Sequence, residues 1–112
     1  MSKRDPILLL SDILEAINKN KIYTNGYNFN SFIEDVKTID AVIRNFEIIG
    51  EAANRLPEDF KDVHKGINWQ RIRGFRHRIV HDYMEIDLQI VWTIIQKDLD
   101  QLSKDVLKIV EA

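Results

Sequence analysis

The chain has 112 residues, with 16 lysines and arginines against 18 aspartates and glutamates, and a formal net charge of -2. A chain of this length can build one hydrophobic core without metal or disulfide support. Its mild acidity excludes a protein that coats nucleic acid over its whole surface, so any such contact has to be a local patch. The absence of cysteine removes disulfides and thiolate zinc sites, and fits a reducing cytosol.

The N-terminal Met1-Ser2-Lys3-Arg4 followed by Ile7-Leu8-Leu9-Leu10 begins like a secretory leader. Ser11, Asp12 and Glu15 break the apolar run short of the roughly 7–15 residues such a leader needs. No stretch approaches the ~20 apolar residues of a membrane span. The expectation is a soluble, cytoplasmic protein with no membrane partner.

Asp5 reads as an N-cap, with Pro6 at the first position of a helix whose stripe is Leu10, Ile13, Leu14 and Ile17. The turn chemistry of residues 23–28 closes it. Ser31 and Glu34 form a capping-box pattern that opens a second helix, with the stripe Phe32, Val36, Ile39, Ile43, Phe46 and Ala53, ended by Pro57. Gly50 inside that helix costs about 1 kcal/mol relative to alanine. Close approach of another helix near Ala52 and Ala53 would explain it; a merely tolerated glycine is the alternative.

Residues 57–67 read as a polar connection. Asn68 caps a third helix that carries Trp69, Ile72, Phe75, Ile79 and Tyr83 toward the core, with Gly74 as a potential break. Asp87 caps the last, with Leu88, Val91, Ile95, Leu99, Leu102, Val106 and Ile109 on one face. Spacings of three and four dominate and strand-type alternation is almost absent. The fold class expected is all-α, a four- to five-helix bundle forming a single domain over residues 1–112.

The chemistry concentrates in Arg76-His77-Arg78-Ile79-Val80-His81-Asp82-Tyr83. Between residues 61 and 78 lie Lys61, Lys65, Arg71, Arg73, Arg76 and Arg78, against only Asp62, and all three histidines (His64, His77, His81) fall in the same region. Guanidinium grips phosphate oxygens in a planar, bidentate manner, and imidazole carries protons near neutral pH. Taken singly, Arg76 and Arg78 read better as a solvated helix face, and His81 as a histidine satisfied by Asp82 or a carbonyl; taken together with Tyr83 and the local charge asymmetry, they point toward function.

On a regular helix each residue turns about 100°, so Arg76 and Tyr83 share a face, whereas Arg76 and His81 are separated by roughly 140°. Those two reach one phosphate only if the backbone departs from the ideal near Arg76 or if two copies of the chain assemble the site. His77 and His81 have the spacing of a zinc-protease helix, but Arg78 stands where that motif needs glutamate. Carboxylate clusters for magnesium chemistry and glycine-rich phosphate loops are missing from this segment, so neither a metal nor another cofactor is expected.

Arg76, four intervening residues, His81, one more and Tyr83 form a pattern that resembles the Arg-x4-His-x-Tyr motif of HepT-like toxins in the HEPN superfamily. The resemblance extends over nearly the whole chain. Asp40-Ala41-Val42-Ile43-Arg44-Asn45, Ile49-Gly50-Glu51-Ala52-Ala53 and Leu56-Pro57 are similar to the family's second-helix region, and residues 72–83 to its catalytic segment. His77 departs from the pattern, since many members carry asparagine or another small polar residue there.

The resemblance implies a HEPN-type homodimer with its cleft between protomers, and a metal-independent ribonuclease acting as the toxin of a type VII-like toxin–antitoxin system. It implies Arg76 and His81 as catalytic residues, a cognate MntA-like nucleotidyltransferase antitoxin as partner, and Tyr83 as acceptor of AMP transferred by that antitoxin. The expected reaction is internal attack by the RNA 2′-hydroxyl, with His81 moving the proton and Arg76 stabilising the phosphorane. Arg71, Arg73, Arg78 and His77 are candidate RNA contacts. Glu51 and Arg44, seven apart on one helix face, are candidate supports or a plain salt bridge. The alternative is a non-catalytic helical dimer that binds a nucleotidyltransferase or nucleic acid.

Overall fold

The computed structural model describes residues 5–81 and 85–112, with His81 described by its backbone alone. Helix α1 spans Pro6–Thr24, and Asp5 caps it by accepting the Ile7 N–H at 2.8 Å. It ends at a turn where Gly26 takes φ +82°, a left-handed conformation that suits glycine. Leu9, Leu10, Ile13, Ala16 and Ile17 form the buried stripe, which packs along α3, Val36–Arg55. Between these helices lies a buried polar pair absent from the expected core: Asn45 Nδ2 donates to Asn20 Oδ1 at 2.9 Å, and Asn20 Nδ2 to the Val42 carbonyl at 3.4 Å.

The single second helix expected from Ser31 to Pro57 is two helices. α2 spans Phe29–Glu34 and α3 begins at Val36. The capping box joins Asn28 and Ser31 rather than Ser31 and Glu34, with Ser31 N donating to Asn28 Oδ1 and Asn28 N to Ser31 Oγ. Asp35 makes the break. Its carboxylate caps α3 through Thr38 N at 3.1 Å and also accepts the Tyr27 hydroxyl at 2.6 Å and the Thr38 hydroxyl at 2.8 Å. Phe32 from α2 packs on Trp92 with ring centroids 5.2 Å apart, a contact distant in sequence that anchors α2.

The Tyr27 hydrogen bond, then those from Thr38, hold the Asp35 carboxyl below the usual aspartate range. A carboxylate depressed in this way stabilises the fold at neutral pH and loses that contribution as the pH falls through its lowered value. Asp35→Asn, which imitates the protonated acid, should therefore lower the thermal midpoint at neutral pH and differ progressively less from the parent under acid. A gap that does not change with pH would show that the charge is not what matters.

Residues 57–67 contain a short helix, α4 (Glu58–Val63), where a polar connection was expected. Pro57 ends α3 and also precedes α4, whose first turn carries Glu58 and Asp59 in keeping with the helix dipole. Next come α5, Trp69–Arg73, capped by Asn68, and α6, Phe75–Ile79. Helical hydrogen bonds pass through Gly74, from Gly74 N to the Gln70 carbonyl and from Arg78 N to the Gly74 carbonyl, each at 3.0 Å. The two helices are thus one rod bent at the glycine.

That rod does not reach Tyr83. The chain turns extended at Val80, and the short strand β1 (Val80–His81) pairs antiparallel with β2 (Glu85–Ile86), Val80 opposite Ile86 and His81 opposite Glu85. Asp87 N closes the pair on the Ile79 carbonyl at 2.7 Å. Tyr83 and Asp82 lie outside the described residues. The final rod begins at Asp87, as expected, and comprises α7 (Leu88–Thr93), a π-helical turn (Ile94–Asp98) and α8 (Leu99–Glu111). Val91, Ile94, Ile95, Leu99, Leu102 and Val106 bury its inner face. Among the described residues the architecture is all-helical apart from the short strand pair, with more and shorter helices than the four or five expected. Among the described residues no helix is long and apolar enough to cross a membrane.

At Gly50 the backbone of α5 does approach: a methyl group there would meet the Ile72 and Arg73 carbonyl oxygens at 3.8 Å. That is ordinary contact, so the site does not require glycine. Gly50→Ala should raise stability by roughly 0.5–1 kcal/mol through helix propensity and reduced unfolded-chain entropy, read as a higher denaturant midpoint with an unchanged slope.

Candidate functional site

α3 and the bent α5–α6 rod enclose an open groove of about 750 Å³. Glu47, Gly50, Glu51 and Asn54 form the α3 wall, Gln70, Arg73, Gly74, Arg76 and His77 the other, and Phe46 lies beneath. Helical spacing explains the second wall, since residues 73, 76 and 77 lie three and four apart and so share a face. Arg73, Arg76 and His77 are exposed there, and among the described residues no carboxylate forms an ion pair with Arg73 or Arg76.

A smaller niche of about 80 Å³ adjoins the groove and is lined by Ile43, Phe46, Glu47, Arg76, Ile79, Val80 and Ile86. Arg76 belongs to both spaces. Arg76 therefore lines the same space as Val80, the first residue of the extended segment. Beyond Ile79 the 140° separation drawn for a straight helix no longer applies, because the backbone has left the helix. The backbone thus departs from the ideal helix just after Arg76, which is one of the two routes the spacing left open.

The six cations do not form one basic field. Arg71 and Arg78, seven apart, point to the other side of the rod, where Arg71 Nη2 meets Asp98 Oδ2 at 2.9 Å and Arg78 Nη1 lies 3.7 Å from the same oxygen. Arg78 also sits over the Phe75 ring at 5.8 Å. Asp98 ends the π-helical turn, so these two arginines bridge α5–α6 to the last rod and lie away from the groove. His64 stacks on Phe60 at 4.6 Å and does not line the groove.

Of the supporting residues, Glu51 lines the groove and Arg44 does not; among the described residues no ion pair joins them. Glu47, Asn54 and Gln70 were not anticipated. Same-face spacing could have found them: Glu47 is four residues before Glu51, Asn54 three after it, and Gln70 three before Arg73. One wall is therefore acidic and the other basic, rather than basic throughout. Among the described residues no group of three or more histidine and carboxylate side chains is placed to hold a metal ion.

Residues 13–109 match the family described as ribonuclease HepT-like. The chain is 39% identical over 94 residues to the "Probable ribonuclease HepT" of Thermococcus cleftensis, covering 84% of this chain and 86% of the relative. It is 37% identical over 106 residues to the "Putative RNase MJ1380" of Methanocaldococcus jannaschii, with 95% and 97% covered, and 35% identical over 113 residues to the "Putative RNase MJ0127" of the same organism, with 95% and 93% covered. No solved structure matches the chain.

Proposed function

The chain belongs to the ribonuclease HepT-like family, and from that premise we propose that it is a metal-independent ribonuclease, the toxin of a toxin–antitoxin pair whose partner is an MntA-like nucleotidyltransferase. One observation carries the reading. Arg76 is exposed, unpaired among the described residues, and borders both the groove and the niche beside Val80, the residue before His81.

RNA supplies the nucleophile. His81 takes the proton from the 2′-hydroxyl, that oxygen attacks the adjacent phosphorus, and the 5′-oxygen leaves with a proton. The products are a 2′,3′-cyclic phosphate and a 5′-hydroxyl end. In a homodimer the two copies of His81 divide the base and acid roles. Arg76 meets the charge that builds on the non-bridging oxygens, the kind of preorganised electrostatic stabilisation that dominates many such sites. Glu51 and Glu47 oppose non-specific entry of phosphate. Arg73 and His77 contact the substrate backbone, which fixes position without reading sequence.

Tyr83 is the site of control. Transfer of AMP from ATP to its hydroxyl, with release of pyrophosphate, adds negative charge and bulk that oppose RNA phosphates in the way that added phosphate works through local charge.

Growth tests both parts. Inducible expression of the parent should arrest cells, with Arg76→Ala and His81→Ala harmless and the transferase rescuing the parent. Tyr83→Phe should stay toxic with the transferase present. Rescue of Tyr83→Phe accompanied by labelled AMP on the protein would remove Tyr83 as the acceptor, and a harmless parent would favour the non-catalytic module.

A further inference from the structure

The groove does not stop at Arg73. Gln70 and Arg73 also line a second cleft of about 550 Å³, which runs to Lys61, Lys65 and Asn68 over a floor of Ile67 and Trp69. Its unusual member is Lys61. This side chain is only 6% exposed and its ammonium meets Glu58 at 3.2 Å, while Glu58 itself is 80% exposed. A buried ammonium needs a counter-charge, because desolvation penalises it otherwise. An exposed carboxylate is a weak and replaceable one, because solvent screens its charge. Among the described residues, Lys65 and Arg73 have no ion-pair partner.

We propose that this second cleft, on Lys61, Lys65 and Arg73, is a subsite for a backbone phosphate of the RNA strand away from the bond that is cut. Glu58 occupies Lys61 in the free protein and yields it to that phosphate. Arg73 is the hinge between the two spaces, so the strand passes from Arg76 over Gln70 and Arg73 toward Lys61. The apolar floor lowers the local dielectric and strengthens the attraction. Asp62, on the rim of the cleft, discourages anions that cannot reach Lys61. The subsite rests on the ribonuclease reading above and adds a grip that favours strands longer than the cleaved step.

The test is binding of a labelled single-stranded RNA of mixed sequence, about 20 nucleotides long to exceed the usual footprint of a small domain. The full chain carries His81→Ala so that binding is measured without cleavage. Adding Lys61→Met should raise Kd about tenfold, the loss of one charge-assisted contact, and flatten the log Kd against log salt slope by about 0.7, the contribution of one phosphate contact on a single strand. Glu58→Gln should tighten binding, and because Glu58 is exposed this variant decides the matter even if Lys61→Met folds poorly.

Unchanged Kd and slope in Lys61→Met, or weaker binding in Glu58→Gln, would overturn the subsite. If Arg76→Ala weakens binding while neither of these variants has an effect, the subsite fails and the ribonuclease reading survives. If the His81→Ala chain binds no RNA at all, both fall.

Discussion

Alanine at His81 should slow RNA cleavage by roughly 10²–10⁴-fold, the usual worth of positioned acid–base catalysis, and alanine at Arg76 by about 10²–10³-fold, as for loss of one preorganised charge-stabilising donor. Arg76 is exposed and forms no ion pair among the described residues, so its removal should leave the thermal midpoint nearly unchanged; the lost rate then reports chemistry and not unfolding. Arg76→Lys separates charge from shape. Lysine keeps the positive charge but cannot present the bidentate fork, and should fall between parent and alanine. Cleavage should continue in excess chelator, with a 2′,3′-cyclic phosphate on the upstream fragment. Full-rate cleavage by either alanine variant would remove that residue from the mechanism.

Phe46→Ala should cost about 3–5 kcal/mol, the range for truncating a buried aromatic, out of a total stability of about 5–15 kcal/mol for a domain of this kind. Phe46 is 1% exposed and meets Phe75 edge to face, with centroids 5.7 Å apart and planes at 89°. It also floors both the groove and the niche. Phe75 opens α6 immediately before Arg76, so removing its ring partner should loosen the wall that carries the guanidinium. Activity per folded molecule should fall as well, because small misplacements of a catalytic group are expensive in rate. Phe46→Leu keeps most of the volume and should recover much of the stability. Urea unfolding measures the first effect, and rates well below the transition measure the second. A variant as stable as the parent would mean that the floor is supported from elsewhere.

Much of the helical framework was legible because it depends on short-range patterns. Asp5-Pro6, Asn68 and Asp87 mark the helix starts they were expected to mark, since capping needs only a side-chain oxygen two or three residues from an orphan N–H. The stripe of the last rod was likewise readable from its three- and four-residue spacing, although its π-helical turn was not. α4 is not legible in the sequence because six residues carry too little periodicity. The split at Asp35 was hidden for another reason: Ser31 and Glu34 imitate a capping box, and what decides against them is the Tyr27 hydroxyl and the Trp92 ring arriving from other parts of the chain.

For the site, the residue order alone marks the candidates for the chemistry: the cations of residues 61–78, and the Arg76, His81 and Tyr83 pattern that resembles the HepT-like motif. It also determined that the segment opens as a helix at Asn68. Where that helix ends, and which way each cation faces, was decided by tertiary structure. Asp87 N donates to the Ile79 carbonyl and Val80 pairs with Ile86, so the chain leaves the helix before His81. Asp98 draws Arg71 and Arg78 to the far side of the rod, leaving Arg73, Arg76 and His77 facing Glu47 and Glu51 across the groove. Charge is a property of composition, but a field has direction, and direction follows from partners far apart in sequence that only folding brings together.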